Sequence, residues 1–256
     1  MVTDQVLQTS EDAALGGRLF LRQPRKGHRF GHDAILLAAA CSARPGEHLV
    51  DLGAGVGTAG LAVARRVRDL AVTLVEIDPA LVALARDNAV RNDLAGRASA
   101  VRLDVGASAA AFAAAGLPPG AADHVIMNPP FNAPQNPSPD GDRRLAHSAD
   151  SNTLASWLKA ASRLLKASGV VTLIWRGDGL ESVLTGVSAN FGAIVVLPIH
   201  PKPDMPAIRV LVCGVKSSRA PLSLLPGLFL ADRAGKATPE ADAVLRGGDE
   251  LPLSVG

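Results

Sequence analysis

The sequence has few cysteines, no long apolar run and almost no excess of charge. Cys41 and Cys213 are its only cysteines, and no Cys-x-x-Cys pair occurs, which excludes a disulfide scaffold and gives no support to structural zinc. No run of 18 apolar residues is present, so no membrane-spanning helix is predicted. The N-terminus carries Asp4, Glu11 and Asp12 where a signal peptide would be basic and then apolar. We therefore expect a cytoplasmic protein without a membrane partner.

The charge balance is close to neutral. Lys and Arg together number 26, and Asp and Glu number 24, which gives a formal net charge of +2. The net charge therefore creates no strong electrostatic field that would indicate a nucleic-acid partner, although local basic patches can still form. Hydrophobic residues make up 48% of the 256 residues, which is enough for a substantial core in one large domain or two small ones.

From residue 48 onward, short β-branched runs alternate with helical stretches, a pattern typical of a parallel sheet flanked by helices. The last two strand-like runs are joined by a Pro-rich segment that is too short for a crossover helix, so they must form an antiparallel hairpin. The prediction is an α/β fold with a Rossmann-like, seven-stranded, mostly parallel sheet that ends in this hairpin. The predicted strands cover residues 48–52, 72–77, 99–103, 124–127, 170–175, 194–199 and 208–215.

Helical periodicity is clearest over residues 152–166, where apolar side chains share one face and basic side chains the other. Asn152 is predicted to cap this helix and Gly169 to follow its C-terminal end. Trp157, on the apolar face, is predicted to be a core residue. A shorter apolar helix is predicted over residues 34–41 and a strand over residues 19–21.

A glycine-rich loop follows the first predicted parallel strand. Gly53, Gly55, Gly57 and Gly60 let the backbone turn sharply and let a polar ligand approach the N-terminus of the next helix. From Gly55 onward the loop has the pattern Gly-x-Gly-x-x-Gly, which is the dinucleotide-binding fingerprint. Glu76 lies at the end of the next predicted strand, where dinucleotide-binding proteins have an acid that binds the ribose. An NAD-dependent dehydrogenase is therefore one hypothesis.

Asp51 favours a different ligand. It lies in the strand end before Gly53, and a carboxylate there would repel a pyrophosphate but tolerate a cation. The spelling Asp-x-Gly-x-Gly-x-Gly resembles motif I of the class I S-adenosylmethionine-dependent methyltransferases, whose cofactor is a sulfonium cation. The resemblance implies that Asp51, Gly53, Gly55 and Gly57 bind S-adenosylmethionine, and that the predicted sheet is the methyltransferase sheet.

Two further acidic positions fit the same family. Glu76, in Val-Glu-Ile-Asp-Pro, resembles the acid that holds both ribose hydroxyls in that superfamily. Asp78 is better explained as the start of a helix, because proline follows it. Asp104 resembles the motif III acid that accepts a hydrogen bond from the adenine amino group. Alternatively, Asp104 caps a helix that begins near Ala107.

The tetrapeptide Asn128-Pro129-Pro130-Phe131 follows a short apolar run. Asn-Pro favours a turn and two prolines stop a strand, so by itself the tetrapeptide fits a turn as well as an active site. In the methyltransferase superfamily it marks enzymes that methylate planar nitrogen. That resemblance implies that the Asn128 side chain and the Pro129 carbonyl accept both N–H bonds of the acceptor amine. The rings of Pro129 and Pro130 would fix the carbonyl direction, and Phe131 would stack on a flipped base.

Residues 27–37, Gly-His-Arg-Phe-Gly-His-Asp-Ala-Ile-Leu-Leu, resemble the motif before motif I in bacterial tRNA(Val) adenosine N6-methyltransferases. This likeness implies that the region of Phe30 and Asp33 closes over the methionine end of the cofactor, and that the substrate is an adenine in tRNA. Phe131 does not decide which group is methylated, because many adenine and glutamine methyltransferases have Tyr at this position and Phe also occurs in guanine N2 methyltransferases. Guanine N2 in ribosomal RNA and glutamine N5 in a protein are the alternatives.

Basic residues cluster before the glycine loop and on the predicted hairpin. If both clusters flank the acceptor they form a track for RNA phosphates, and scattered surface charge is the alternative. Residues 132–151 are predicted to be a long loop, either a functional lid or a solvated flexible segment. The cluster before the glycine loop comprises Arg18, Arg22, Arg25, Lys26 and Arg29. The cluster on the predicted hairpin comprises Lys202, Arg209, Lys216 and Arg219. The long loop contains Arg143, Arg144 and His147.

Three parts of the chain are distinguished on these grounds. Residues 1–47 are an N-terminal extension with a motif helix that packs on the cofactor site, and residues 48–220 are the methyltransferase domain. Residues 221–256 are a C-terminal surface segment that is partly ordered from Pro226 onward. No metal site is predicted, because His28 and His32 have no carboxylate-rich ligand set beside them.

Overall fold

The computed structural model describes residues 8–25, 31–130 and 140–253. It begins with strands β1 (Thr9–Ala14) and β2 (Leu19–Pro24), which form an antiparallel two-stranded sheet of their own. The strand predicted over residues 19–21 is β2, whereas the polar sequence of β1 gave no strand signal. Within the described ranges, no helix is both long enough and apolar enough to cross a membrane.

The main sheet is built mostly of parallel strands. Seven of the nine strands that it has in the described ranges are β3 (His48–Leu52), β4 (Ala71–Glu76), β5 (Ala98–Arg102), β6 (Ala122–Met127), β7 (Leu165–Arg176), β8 (Phe191–His200) and β9 (Arg209–Lys216). They are ordered β5-β4-β3-β6-β7-β9-β8, and β9 pairs antiparallel with both β7 and β8 while the other pairs are parallel. The predicted parallel sheet with a C-terminal antiparallel hairpin is therefore confirmed.

Helices cover both faces of the sheet, and each face has a separate apolar core. Leu36, Leu61 and Val82 contribute to one core, and Phe112, Leu158 and Val183 contribute to the other. The helices of the first face are α1 (His32–Ala40), α2 (Thr58–Arg66) and α3 (Pro79–Arg91), and those of the second are α4 (Ala109–Ala114), α5 (Asp140–Leu164) and α6 (Leu180–Ser188).

Helix α5 is longer than the sequence prediction. It begins at Asp140, so Asn152 lies inside the helix rather than at its cap, and the loop predicted over residues 132–151 is wrong from residue 140 onward. The helix ends at Leu164, and β7 starts at the next residue instead of after Gly169. The prolines of this region all precede Asp140, and no glycine or proline occurs over residues 142–164. The Asn, Asp and Ser residues that suggested a loop are therefore compatible with a helix.

The C-terminal segment is part of the folded core, contrary to the expectation of a partly ordered surface segment. It forms β10 (Ser223–Leu224) and β11 (Leu228–Phe229), which both pair parallel with β8, and helix α7 (Pro239–Leu245). Leu228, Val244 and Leu253 are buried in the same core as α1 and α2. Their spacing among Gly, Pro and charged residues has no helical or strand period, which explains why the sequence pattern did not reveal them.

Two leucines of this segment provide a matched test of its structural role. Leu228 is 7% exposed and Leu224 is 65% exposed. We expect Leu228→Ala to lower the free energy of unfolding by about 2 to 4 kcal/mol, because it removes buried apolar atoms and leaves a cavity. Leu224→Ala should change it by less than about 0.5 kcal/mol. Urea denaturation of both variants measures the difference, and equal values would contradict burial of this segment.

Candidate active site

Three adjacent parallel strands end at the same edge of the sheet, and each is followed by residues that were predicted to be functional. The glycine loop follows β3, Glu76 ends β4, and Asn128 follows β6. A cavity of about 500 Å³ opens at this edge. Its lining includes Gly53, Gly55, Glu76, Asp104, Asn128, Pro129 and Pro130. The fold therefore brings the glycine loop, both acidic residues and the first part of the tetrapeptide to one cavity.

The glycine loop has a backbone conformation that favours glycine at each of its three central positions. Gly53, Gly55 and Gly57 have φ angles of 68°, 57° and 89°. A Cβ atom on Gly53 would lie 2.3 Å from the ring of Trp157, and one on Gly57 would lie 2.9 Å from the side chain of Leu74. A Cβ on Gly55 would meet nothing within 4 Å. Gly53 and Gly57 thus allow close packing, whereas the open side of Gly55 forms a cradle for a ligand.

Glu76 connects the glycine loop to the end of β4. It is 8% exposed, and its Oε2 atom accepts a hydrogen bond of 2.8 Å from the Gly55 N–H. Its Oε1 atom accepts from the N–H groups of Ile77 and Asp78 at 2.8 and 3.0 Å. A carboxylate has about four acceptor positions. Glu76 therefore keeps acceptor capacity for a hydroxyl donor at the cavity that it lines.

Asp51 is a buried acceptor beneath the same loop. It is 2% exposed, and its Oδ2 atom accepts a 2.9 Å hydrogen bond from the Gly60 N–H in the first turn of α2. Burial raises the pKa of Asp51 to about 7, and the negative charge of Glu76 adds to this rise although the Gly60 hydrogen bond opposes it. Asp51 also lines a smaller cavity of about 180 Å³ together with Gly55 and Asn128. Its ionisation near neutral pH is a property that the sequence did not indicate.

Two aspartates with alternative explanations have different roles. Asp78 caps α3, because its Oδ1 accepts from Ala80 N–H at 2.7 Å and from Leu81 N–H at 3.3 Å, as expected. Asp104 does not cap a helix. Ser108 caps α4, while the Asp104 Oδ1 accepts from Gly106 N–H at 2.8 Å within its own loop. Asp104 therefore stays at the cavity edge with a carboxylate that can accept from a ligand amine.

The tetrapeptide is described only in part. Asn128 is half-buried, Pro129 is buried and Pro130 is exposed. Phe131, which was predicted to stack on a base, and Phe30, which was predicted at the methionine end of the cofactor, lie outside the described residues. Asn128, Pro129 and Pro130 all line the cavity.

Two further side chains line the cavity, Trp157 contrary to expectation and Asp33 in the region that was expected near the cofactor. Trp157 was expected in the core, but it is half-buried, and its ring contacts Gly53 and lines the cavity. Asp33 lines both cavities and accepts a 2.8 Å hydrogen bond from Arg209 Nε, which ties α1 to β9. Helical spacing places Trp157 on the apolar face of α5 correctly. Its contact with Gly53 is a long-range one that spacing cannot reveal.

The basic cluster predicted on the terminal hairpin is divided between opposite edges of the sheet. Arg209 lies at the cavity edge, where it pairs with Asp33. Lys216 lies at the other end of β9 and donates a 2.7 Å hydrogen bond to the Leu165 carbonyl. The hairpin therefore does not present one basic track, because Arg209 and Lys216 lie at the two ends of the same strand. Arg18, Arg22 and Arg25 of the N-terminal hairpin are exposed.

Comparison with known proteins identifies a matching family and relatives of similar sequence. The family model of the methyltransferase small domain matches residues 29–194. A tRNA1(Val) (adenine(37)-N6)-methyltransferase from Bacteroides thetaiotaomicron is 30% identical over 186 residues, which cover 72% of this chain and 75% of that protein. The enzyme of the same name from Yersinia enterocolitica is 26% identical over 230 residues, which cover 89% of this chain and 88% of that protein.

A solved structure has the same fold over most of the chain. A predicted O-methyltransferase from Agrobacterium tumefaciens superposes with a TM-score of 0.73 at 30% sequence identity. The superposition covers 86% of this chain and 98% of that protein. This chain therefore shares its fold with that predicted O-methyltransferase.

The raised pKa of Asp51 predicts a specific dependence of stability on pH. The carboxyl ionises near its ordinary pKa in the unfolded chain and only near pH 7 in the folded chain, so stability is lost as the pH rises toward 7. Asp51→Asn should abolish this loss, which amounts to about 2 to 3 kcal/mol between pH 5 and pH 8. Urea denaturation across this range, with the wild-type protein in parallel, measures the effect. Identical pH profiles would contradict the burial of an ionisable Asp51.

Proposed function

Because this chain belongs to the methyltransferase small domain family of S-adenosylmethionine-dependent methyltransferases, we propose that it methylates N6 of an adenine in tRNA. The observation that carries the proposal is the shared cavity, since Asn128 and Pro129 line the same space as the glycine loop and Glu76. The relatives named above support tRNA as the substrate. Membership of this family excludes the dehydrogenase hypothesis that the glycine pattern left open.

The residues at the cavity fit the cofactor. The open side of Gly55 offers space at the backbone, and Glu76 retains acceptor capacity that suits a ribose hydroxyl. Asp104 carries a carboxylate that suits the adenine amino group, and Asp51 lies buried behind the loop as a group that can become anionic beside a cation. We assign the binding of S-adenosylmethionine to these residues and to Gly53 and Gly57. The cofactor supplies an electrophilic methyl group on a sulfonium.

The acceptor chemistry depends on position more than on a base. The lone pair of an exocyclic amine is delocalised into its ring, so the nitrogen is a poor nucleophile until its hydrogen atoms are held out of the plane. We propose that the Asn128 side-chain oxygen and the Pro129 carbonyl accept these two N–H bonds. The prolines keep the carbonyl direction fixed, so that the lone pair would be free to face a bound methyl donor. The N–C bond would form as the S–C bond breaks, in an in-line displacement favoured by orientation, and the methylated nitrogen would then release one proton to solvent.

Adenine is one of several planar amines that this pair of acceptors could bind. Guanine N2 in ribosomal RNA and glutamine N5 in a protein would use the same two acceptors. The relatives favour adenine, because the names of both specify adenine N6. The exposed arginines of the N-terminal hairpin would contact RNA phosphates and make binding dependent on salt. A tRNA substrate also agrees with the cytoplasmic location expected from the sequence.

Asn128→Ala tests the acceptor role. We expect methyl transfer to fall by about a hundredfold or more, because one of two acceptors that act in the transition state is lost. The dissociation constant for S-adenosylmethionine should stay within about twofold of the wild-type value. Labelled methyl incorporation and calorimetry give the two quantities. Asn190→Ala, at an exposed position before β8, is the control. Unchanged transfer by Asn128→Ala would overturn the assignment.

The substrate class is tested with tRNA and protein from a strain that lacks this gene. Incubation with S-adenosylmethionine labelled in the methyl group should label tRNA, and ribonuclease should remove the label. Mass spectrometry of the digested tRNA should identify N6-methyladenosine. Methylguanosine in ribosomal RNA would show that the acceptor is guanine instead of adenine, and methylglutamine in the protein fraction would show that it is glutamine.

A further inference from the structure

Two asparagines of α3 bind the N-terminal hairpin through their side chains. Asn88 is 0% exposed and Asn92 is 5% exposed. Asn92 Oδ1 accepts from the Phe20 N–H at 2.8 Å, and its Nδ2 donates to the Phe20 carbonyl at 2.7 Å. Asn88 makes the equivalent pair with Arg22, at 2.7 Å and 3.0 Å. Each amide therefore pairs with one residue of β2 as a neighbouring strand would.

The spacing of the two amides explains this fit. Residues four apart on a helix lie on one face, separated by about 6 Å along the axis. Residues two apart on a strand point to the same side and are separated by about 6.8 Å. Asn88 and Asn92 are four apart, and Phe20 and Arg22 are two apart. The helix can thus present two amides in register with alternate residues of the strand.

Asn88 has a further contact that Asn92 lacks. Its Nδ2 also donates a 3.0 Å hydrogen bond to the Val56 carbonyl, in the loop between Gly55 and Gly57. The Nδ2 of Asn92 instead donates to the Asn88 carbonyl in its own helix at 2.8 Å. One buried amide group therefore joins the N-terminal hairpin to the glycine loop. Both hydrogen atoms of its NH₂ group are used, one for each partner.

We propose that Asn88 is a positioning residue for S-adenosylmethionine, through which the N-terminal hairpin fixes the shape of the cofactor cradle. The Val56 carbonyl follows Gly55, whose N–H is held by Glu76. Glu76 holds the peptide group before Gly55 and Asn88 holds the peptide group after Val56, so that Gly55 between them keeps the left-handed conformation that leaves its open side free. This inference depends on the cofactor of the family and is independent of the substrate.

The two asparagines provide a matched pair of variants. Asn88→Ala and Asn92→Ala each remove the two hydrogen bonds to β2, so both should lower the melting temperature by similar amounts. Only Asn88→Ala releases the Val56 carbonyl. We expect it to raise the dissociation constant for S-adenosylmethionine about tenfold, whereas Asn92→Ala should stay within about twofold. Calorimetric titration with the cofactor alone gives both values. Equal changes in the two variants, or no change in either, would overturn the proposal.

Hydrogen exchange of the wild-type protein gives a second test that needs no variant. Coupling between two sites is reciprocal, so cofactor binding at the loop should stabilise the hairpin contact of Asn88. Saturating S-adenosylmethionine should therefore slow exchange of the Arg22 amide more than exchange of the Phe20 amide. Equal exchange of the Arg22 amide with and without cofactor would contradict the coupling. Neither measurement uses tRNA, so failure of the proposed adenine methylation would leave this inference intact.

Discussion

Glu76 accepts hydrogen bonds from three backbone N–H groups, one in the glycine loop and two in the turn after β4. The loop after one strand is thereby fixed to the end of its neighbour. Removal of the carboxylate would leave the half-buried Gly55 N–H without its acceptor. The cradle at Gly55 and the side of the cavity that it borders depend on this arrangement. Asn88 holds the Val56 carbonyl, further along the same loop.

The fold could be predicted from the sequence wherever a local pattern was sufficient. β-branched runs indicated the parallel strands, and a connection too short for a crossover helix indicated the antiparallel pair. The start of α5 was misplaced because Asn, Asp and Ser residues suggest a loop even where no glycine or proline interrupts the helix. The C-terminal segment was misjudged for another reason. Leu228 and Val244 are buried by distant parts of the chain, and their sequence neighbours do not reveal this.

The candidate site could be predicted where motifs follow strand ends, because parallel strands bring their carboxyl ends to one edge. Asp78 was explained correctly by the proline that follows it, whereas a role as helix cap was wrong for Asp104. The pairing of Asp33 with Arg209 and the approach of Trp157 to Gly53 were not predicted. Both contacts join residues that are more than a hundred positions apart. No local pattern carries that information.

The amides of α3 also affect how the hairpin meets other protein molecules. The edge of β2 that faces away from β1 would otherwise display the unpaired N–H and C=O groups of Phe20 and Arg22. An open edge of this kind is a template on which a strand of another chain can add. Asn88 and Asn92 occupy these groups from within the same molecule. A two-stranded sheet thus gains a closed edge without a third strand, and that edge is protected from aggregation.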